Sequence, residues 1–227
     1  MCEAKGWDHC DDKVAGVRNA LIIGDSHAID AYNAFATSFP KDNLSLSDLG
    51  GCPPHPHIET IVLAGHPDLP KCQELNRKRF DAAHLRSFDY IVINVYMDWY
   101  DEAHLASYLQ FLHDNGIRKV IVFGQTYRAH DDVPELVNRE GFSRERLMPL
   151  LTPPPKDGLV YSTAQKLGYV YLSKVDAMST NGQFDVFDPR EVLFTYDQHH
   201  LSLPFSTRLL DKHLPKIESY LTGANAP

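Results

Sequence analysis

The sequence predicts an α/β protein: a three-layer α/β/α sandwich around a central parallel sheet. Three observations predict it. Short apolar runs alternate with longer amphipathic stretches along the chain. Two of those runs, residues 90–95 and 119–123, are apolar and β-branched almost throughout, as expected of strands covered on both faces. The 227 residues show no internal repeat and no linker-like segment, which suits one domain.

Taken in order, residues 1–19 read as a polar, irregular N-terminal extension. Residues 20–23 are a short apolar run ending at Gly24, and 27–39 carry helical spacing, so a strand, a sharp turn and a helix are expected. Residues 44–49 alternate weakly as a second strand, and 50–70 concentrate turn-forming residues and read as a loop. Residues 73–87 read as a helix with Leu75, Phe80, Ala83 and Leu85 on one side. After the strand at 90–95, residues 101–115 form a helix with Leu105, Tyr108, Leu109 and Leu112 inward and Gly116 at its end. The strand 119–123 ends at Gly124. Residues 131–155 are less regular, and Pro153, Pro154 and Pro155 break any helix there. A helix at 157–167, a strand at 169–172 and an amphipathic helix at 203–221 complete the reading. In open sheets of this kind, function collects in the loops at the carboxyl ends of the strands.

Composition excludes several classes. With 43% apolar and 23% charged residues, the chain is neither disordered nor a low-complexity polymer. The net charge of −8, from 30 acidic and 22 basic residues, is a poor match to phosphate, so no nucleic-acid partner is expected. No run approaches the roughly eighteen apolar residues of a membrane span; the most apolar, 90–97, is strand-sized and interrupted by Asn94. The opening MCEAKGWDHC has no apolar core of a signal peptide. The chain is therefore expected either to work where it is made or to be a piece of a longer protein.

The four cysteines, Cys2, Cys10, Cys52 and Cys72, allow three complete connectivities or four reduced thiols. Pairing Cys52 with Cys72 is favoured because it clasps a Pro-, Gly- and His-rich segment, leaving Cys2–Cys10 to pin the N-terminus. Zinc is disfavoured, since no CxxC pair occurs.

Two segments carry chemistry. In Gly24-Asp25-Ser26-His27, a serine follows a strand directly and opens a helix. Its hydroxyl is raised on a tight turn among the unpaired N–H donors of the helix start, which suits a nucleophile beside an oxyanion. A simple helix cap is the alternative. In Tyr196-Asp197-Gln198-His199-His200-Leu201-Ser202, Asp197 is spaced to orient the His200 ring within one turn, while His199 points elsewhere.

Together these segments resemble the SGNH hydrolase superfamily of GDSL-type esterases, whose first block appears as Gly24-Asp25-Ser26 and whose last appears as Asp197-Gln198-His199-His200. No GxSxG elbow surrounds Ser26, which argues against the α/β-hydrolases. The resemblance implies a flavodoxin-like SGNH fold and a triad of Ser26, His200 and Asp197. It also implies an oxyanion hole from the Ser26 N–H, Gly51 or its neighbour Gly50, and an asparagine. The usual GxND is missing; the chain reads Ile93-Asn94-Val95-Tyr96-Met97-Asp98-Trp99-Tyr100, so Asn94 is the candidate, and its place inside a strand equally fits a structural residue.

The combination of GDSH, Gly51-Cys52-Pro53-Pro54 with a later cysteine, an apolar strand running toward Trp99, and Asp197-x-x-His200-Leu201-Ser202 is similar to the SGNH domain fused to membrane acyltransferase family 3 proteins. That subgroup implies an O-acetyltransferase domain in a longer, inner-membrane-tethered protein. Its membrane part delivers an acetyl donor, and the periplasmic SGNH domain passes the acetyl group to a carbohydrate acceptor. His27 and Trp99 are the candidate substrate contacts, and no cofactor is expected. The same triad also fits a carbohydrate or small-ester acetylesterase.

Two other readings compete. Asp25-x-His27 after a strand resembles the first ligands of metallophosphoesterases, with Asp197, His199 and His200 completing a site, but the GNHE-like and GHxH-like blocks are absent. A non-catalytic glycan-binding domain is the other, with Tyr96, Trp99 and Tyr100 as a sugar-stacking surface unless they fill the core. Residues 71–79 read as a solvated basic helix face, Asp11-Asp12 and Asp131-Asp132 as surface turns, and His55, His57 and His66 as exposed loop histidines.

Overall fold

The computed structural model describes residues 12–62, 67–97, 100–141, 143–154 and 157–223. The chain first forms β1 (Asn19–Gly24), α1 (Ala28–Ser38), β2 (Asn43–Ser47), α2 (Leu69–Arg79), α3 (Ala82–Arg86) and β3 (Tyr90–Asn94). There follow α4 (Glu102–Asp114), β4 (Val120–Phe123), β5 (Arg128–Ala129), α5 (Val133–Glu140), α6 (Arg144–Leu147), β6 (Leu151–Thr152), α7 (Gly158–Lys166) and β7 (Val170–Leu172). Last come α8 (Lys174–Ala177), β8 (Ser179–Thr180), β9 (Gln183–Phe184), α9 (Leu203–Ser206) and α10 (Leu214–Thr222). Among the described residues, no helix is long and apolar enough to cross a membrane.

Five strands make a parallel sheet in the order β2-β1-β3-β4-β7. Side chains alternate between the two faces of each strand, and both faces are apolar. Ala20, Ile22, Tyr90, Val92, Ile121 and Phe123 pack with Ala31 and Phe35 of α1 and with Phe205, Leu210 and Ile217 near the C-terminus. Leu21, Ile23, Ile91, Ile93, Val120 and Val122 pack with Leu85 of α3, Leu105 and Leu109 of α4, and Val160 of α7. This explains why the strand runs are apolar throughout. The strand order reverses between β1 and β3, the point at which sheets of this kind open a crevice beyond the strands' carboxyl ends. Gly24 pairs with Asn94 across that point, and a Cβ on Gly24 would sit 1.9 Å from the Asn94 carbonyl oxygen. Only glycine permits the approach.

Several expected elements differ. The helix expected at 73–87 breaks after Arg79, because the Asp81 carboxylate accepts the N–H groups of Ala83 and His84 and starts α3. The inward residues of α2 are Cys72, Asn76 and Arg79, not Leu75, which is half-buried; Ala83 is exposed on α3. The helix expected at 203–221 divides into α9 and α10, since Pro215 is accommodated only in a first turn. Residues 131–155 contain α5, α6 and β6, and β6 pairs antiparallel with β5. The hairpin of β8 and β9 turns on Asn181-Gly182, both with positive φ.

Cys52 and Cys72 form a disulfide that joins the start of the long loop to α2; Cys2 and Cys10 lie outside the described residues. Replacing both bonded cysteines by alanine is expected to lower unfolding free energy by about 3 kcal/mol. Urea denaturation reads this, and an unshifted midpoint contradicts it.

Candidate active site

The turn after β1 places Ser26 at the opening of α1. Asp25 is 3% exposed and holds this turn: one carboxylate oxygen accepts the His27 N–H at 2.9 Å and the other accepts the Tyr96 N–H at 2.9 Å. With both oxygens occupied by backbone, Asp25 is a tether between β1 and β3, not the metal ligand of the metallophosphoesterase reading.

The segment before α9 brings its imidazole to this turn. Oδ1 of Asp197 accepts from Thr195 Oγ1 at 3.0 Å and from the N–H groups of His199 and His200 at 2.8 Å each. Oδ2 lies 2.6 Å from His200 Nδ1, and His200 Nε2 lies 2.7 Å from Ser26 Oγ. With Nδ1–H donating to Asp197, Nε2 is the acceptor for the serine proton. Partial burial raises the Asp197 pKa, but the hydrogen bonds from the His200 ring and from the His199 and His200 N–H groups outweigh it, holding the carboxyl well below its ordinary range. The segment is anchored by Ser202 Oγ donating to Leu193 O, and by the Ala129 N–H donating to Gln198 O. Residues from opposite ends of the chain thus form one hydrogen-bonded line.

His27 is 1% exposed, so it does not present a surface to substrate. Its Nε2 lies 3.0 Å from His199 Nδ1, and the Tyr96 ring stacks on both imidazoles, at 4.9 Å on His27 and 4.6 Å on His199. Burial first, then the nearby Lys174, lower the His27 pKa well below its ordinary value, and burial and His200 lower that of His199. The nitrogens of His27, His199 and His200 come within metal-binding reach of one another. They do not fit a metal: both His200 nitrogens are engaged, and the His27 and His200 rings stack at 4.8 Å and 22°, so their in-plane lone pairs run side by side and fail to converge.

Beneath His27 lie the buried Asp30, 3.5 Å from Nδ1, and the buried Lys174. Burial lifts the Asp30 pKa to about 6, against the pull of Lys174. A raised acid pKa means that the folded state holds the proton more tightly than the unfolded chain. This contribution is full below the unfolded pKa of about 3.9 and is lost as pH rises through about 6. The stability of Asp30→Asn relative to the native chain is therefore expected to increase between pH 4 and pH 7 in paired urea titrations. A difference independent of pH contradicts this.

In the loop after β2, Gly51 is exposed with φ +66°, and the Cys52 N–H donates to Leu49 O to close its turn. This loop is held by Arg79, which is 1% exposed and corrects the reading of residues 71–79 as a wholly solvated face. Its guanidinium donates to Gly24 O at 2.7 Å, Ser47 O at 2.6 Å, Cys52 O at 2.6 Å and Ser47 Oγ at 3.0 Å. One side chain therefore ties the ends of β1 and β2 to the Gly51 turn. Burial lowers its pKa to about 10, leaving it cationic at neutral pH. One turn earlier, Asn76 accepts the His55 N–H and donates to Pro53 O, and His55 is buried rather than exposed. His57 is exposed, and His66 lies outside the described residues.

Asn94 is fully buried and donates from Nδ2 to His27 O at 2.6 Å, so it pins the start of α1 instead of facing the opening as an oxyanion donor. Trp99 lies outside the described residues. Tyr100 is fully buried with its hydroxyl donating to Pro54 O, which removes it from any sugar-stacking surface, whereas Tyr96 is half-buried beside the triad. Sequence reasoning missed Arg79 and Asn76. Their spacing from Cys72, seven residues on for Arg79 and four for Asn76, is the signal that they share the anchored face of one helix.

Comparison with known proteins agrees with this architecture. The periplasmic domain of a lipopolysaccharide acetyltransferase from Salmonella ser. Paratyphi A superimposes with a TM-score of 0.70 at 16% identity, covering 96% of this chain and 89% of that one. No curated protein sequence matches the chain. The family model for the SGNH domain (fused to AT3 domains) matches residues 1–215. With the GDS turn at one end of that span and the DxxH segment at the other, the chain belongs to the family of SGNH domains fused to AT3 domains.

Proposed function

We propose that this chain is the extracytoplasmic acyl-transfer domain of a membrane O-acetyltransferase, moving an acetyl group through Ser26 to a carbohydrate hydroxyl. The observation that carries the reading is the unbroken line Asp197–His200–Ser26, at 2.6 Å and 2.7 Å. His200 Nε2 takes the Ser26 proton as Oγ bonds to the acetyl carbonyl carbon; Asp197 holds the ring in the accepting tautomer and stabilises the imidazolium. The tetrahedral oxyanion forms beside the Ser26 N–H at the opening of α1, with the Gly51 N–H as the second donor. Collapse breaks the bond to the donor's leaving group, which departs with the proton from His200. An acceptor hydroxyl then repeats the sequence in reverse: His200 takes its proton, its oxygen bonds to the acetyl carbon, and the Ser26 oxygen leaves and recovers the proton.

The donor is supplied by the AT3 partner domain that family membership implies. Isotope-labelled acetyl ester, with and without candidate glycans, tests the reading. Label appearing on a glycan hydroxyl supports transfer, and label released only as acetate makes the domain an esterase.

A further inference from the structure

Beyond the triad, a groove of about 470 Å³ follows the carboxyl ends of β3 and β4, lined by Tyr96, Met97, Thr126, Arg128, His130 and Thr152. That volume is in the range of small-ligand sites. One wall is the β5–β6 ribbon, fixed to the catalytic segment through the Ala129 N–H and Gln198 O at 2.8 Å. The end nearest Ser26 is the Tyr96 ring, which lies flat on the paired imidazoles of His27 and His199. The His199 ring centre is in turn 4.3 Å from that of His200. A sugar seated on Tyr96 is thus two stacked rings, Tyr96 and His199, from the His200 base, so it is a neighbouring unit of the same oligosaccharide that brings its hydroxyl to Ser26.

The lining is specific in its chemistry. Tyr96 is locked at its backbone by Asp25 and beneath its ring by two imidazoles, so its plane is preorganised. Thr126 is 5% exposed, and its hydroxyl has no hydrogen-bond partner among the described residues. Thr152 adds a hydroxyl on the ribbon, and among the described residues no carboxylate lines the groove. A flat aromatic ring with the exposed Thr152 hydroxyl and the polar side chains of Arg128 and His130 around it matches a ligand with one apolar C–H face and a hydroxyl-bearing edge.

We propose that this groove is the acceptor subsite, seating a pyranose ring of an oligosaccharide on Tyr96. The proposal rests on the acyl-transfer reading for its role, but not for the binding itself. In the transfer assay the acetylated Ser26 is common to sugar and water, so their product ratio isolates the acceptor step. Tyr96→Ala is expected to lower the sugar-to-water ratio about tenfold, whereas Tyr96→Phe, which keeps the ring, stays within about twofold. An unchanged ratio in Tyr96→Ala, or equal losses in both variants, overturns the proposal.

Binding is read separately, on an array of hexose and deoxyhexose oligosaccharides probed with Ser26→Ala protein. Glycan binding that disappears in the Ser26→Ala/Tyr96→Ala variant supports the groove even if Ser26 is never acetylated, a result that sinks only the transfer reading. No glycan binding, or binding insensitive to Tyr96, overturns the subsite whatever Ser26 does.

Discussion

Ser26→Ala is expected to lower turnover of a small acetyl ester by at least about 10⁴-fold while leaving the fold intact. The separation of effects follows from which atoms hold the turn. Asp25 ties it to the N–H groups of His27 and Tyr96, Arg79 holds Gly24 O, and Asn94 holds His27 O. None of these bonds uses the serine hydroxyl, which lies against His200 Nε2. Removing that one oxygen from a half-buried position should change stability by no more than about 0.5 kcal/mol. Turnover and thermal unfolding measured on the same preparation read both parts. Comparable turnover in the variant removes Ser26 as nucleophile, and a collapsed unfolding transition contradicts the account of the turn.

Asp197→Asn is expected to cost about 10³–10⁴-fold in kcat. The asparagine carbonyl can keep the three Oδ1 interactions, from Thr195 Oγ1 and the N–H groups of His199 and His200. Its amide then faces His200 Nδ1, where the carboxylate oxygen stood at 2.6 Å. A donor there forces the ring proton onto Nε2, and His200 can no longer accept from Ser26. The segment keeps its shape with the wrong tautomer. Activity should recover partly at higher pH, where hydroxide assists deprotonation of the serine. A loss of less than about tenfold means that Asp197 only shapes the loop.

How much of this was legible depends on the range of the interaction. The strands β1, β3, β4 and β7 follow from apolar runs, because burial on both faces writes itself into consecutive residues. The triad segments are equally local: a serine directly after a strand, and an aspartate three residues before a histidine. The Arg79 clamp was not legible, since a cation inside a Lys- and Arg-rich helix looks solvated until carbonyls from the ends of β1 and β2 and from the Gly51 turn are known to converge on it. Tyr96 and Tyr100 were indistinguishable by type, and only the path of the chain after β3 buries one and leaves the other beside His199. The expected helices at 73–87 and 203–221 failed at Asp81 and Pro215, where local capping and ring sterics overrode the apolar spacing.

The central claim is that Ser26 itself carries the acyl group. Brief exposure to an isotope-labelled acetyl ester, acid quench and peptide mass mapping test it most directly. The account predicts one labelled acetyl group on the peptide containing Ser26, formed far more slowly in Asp197→Asn and absent in Ser26→Ala. Ester turnover with no label on that peptide, or with label on another residue in its place, contradicts it.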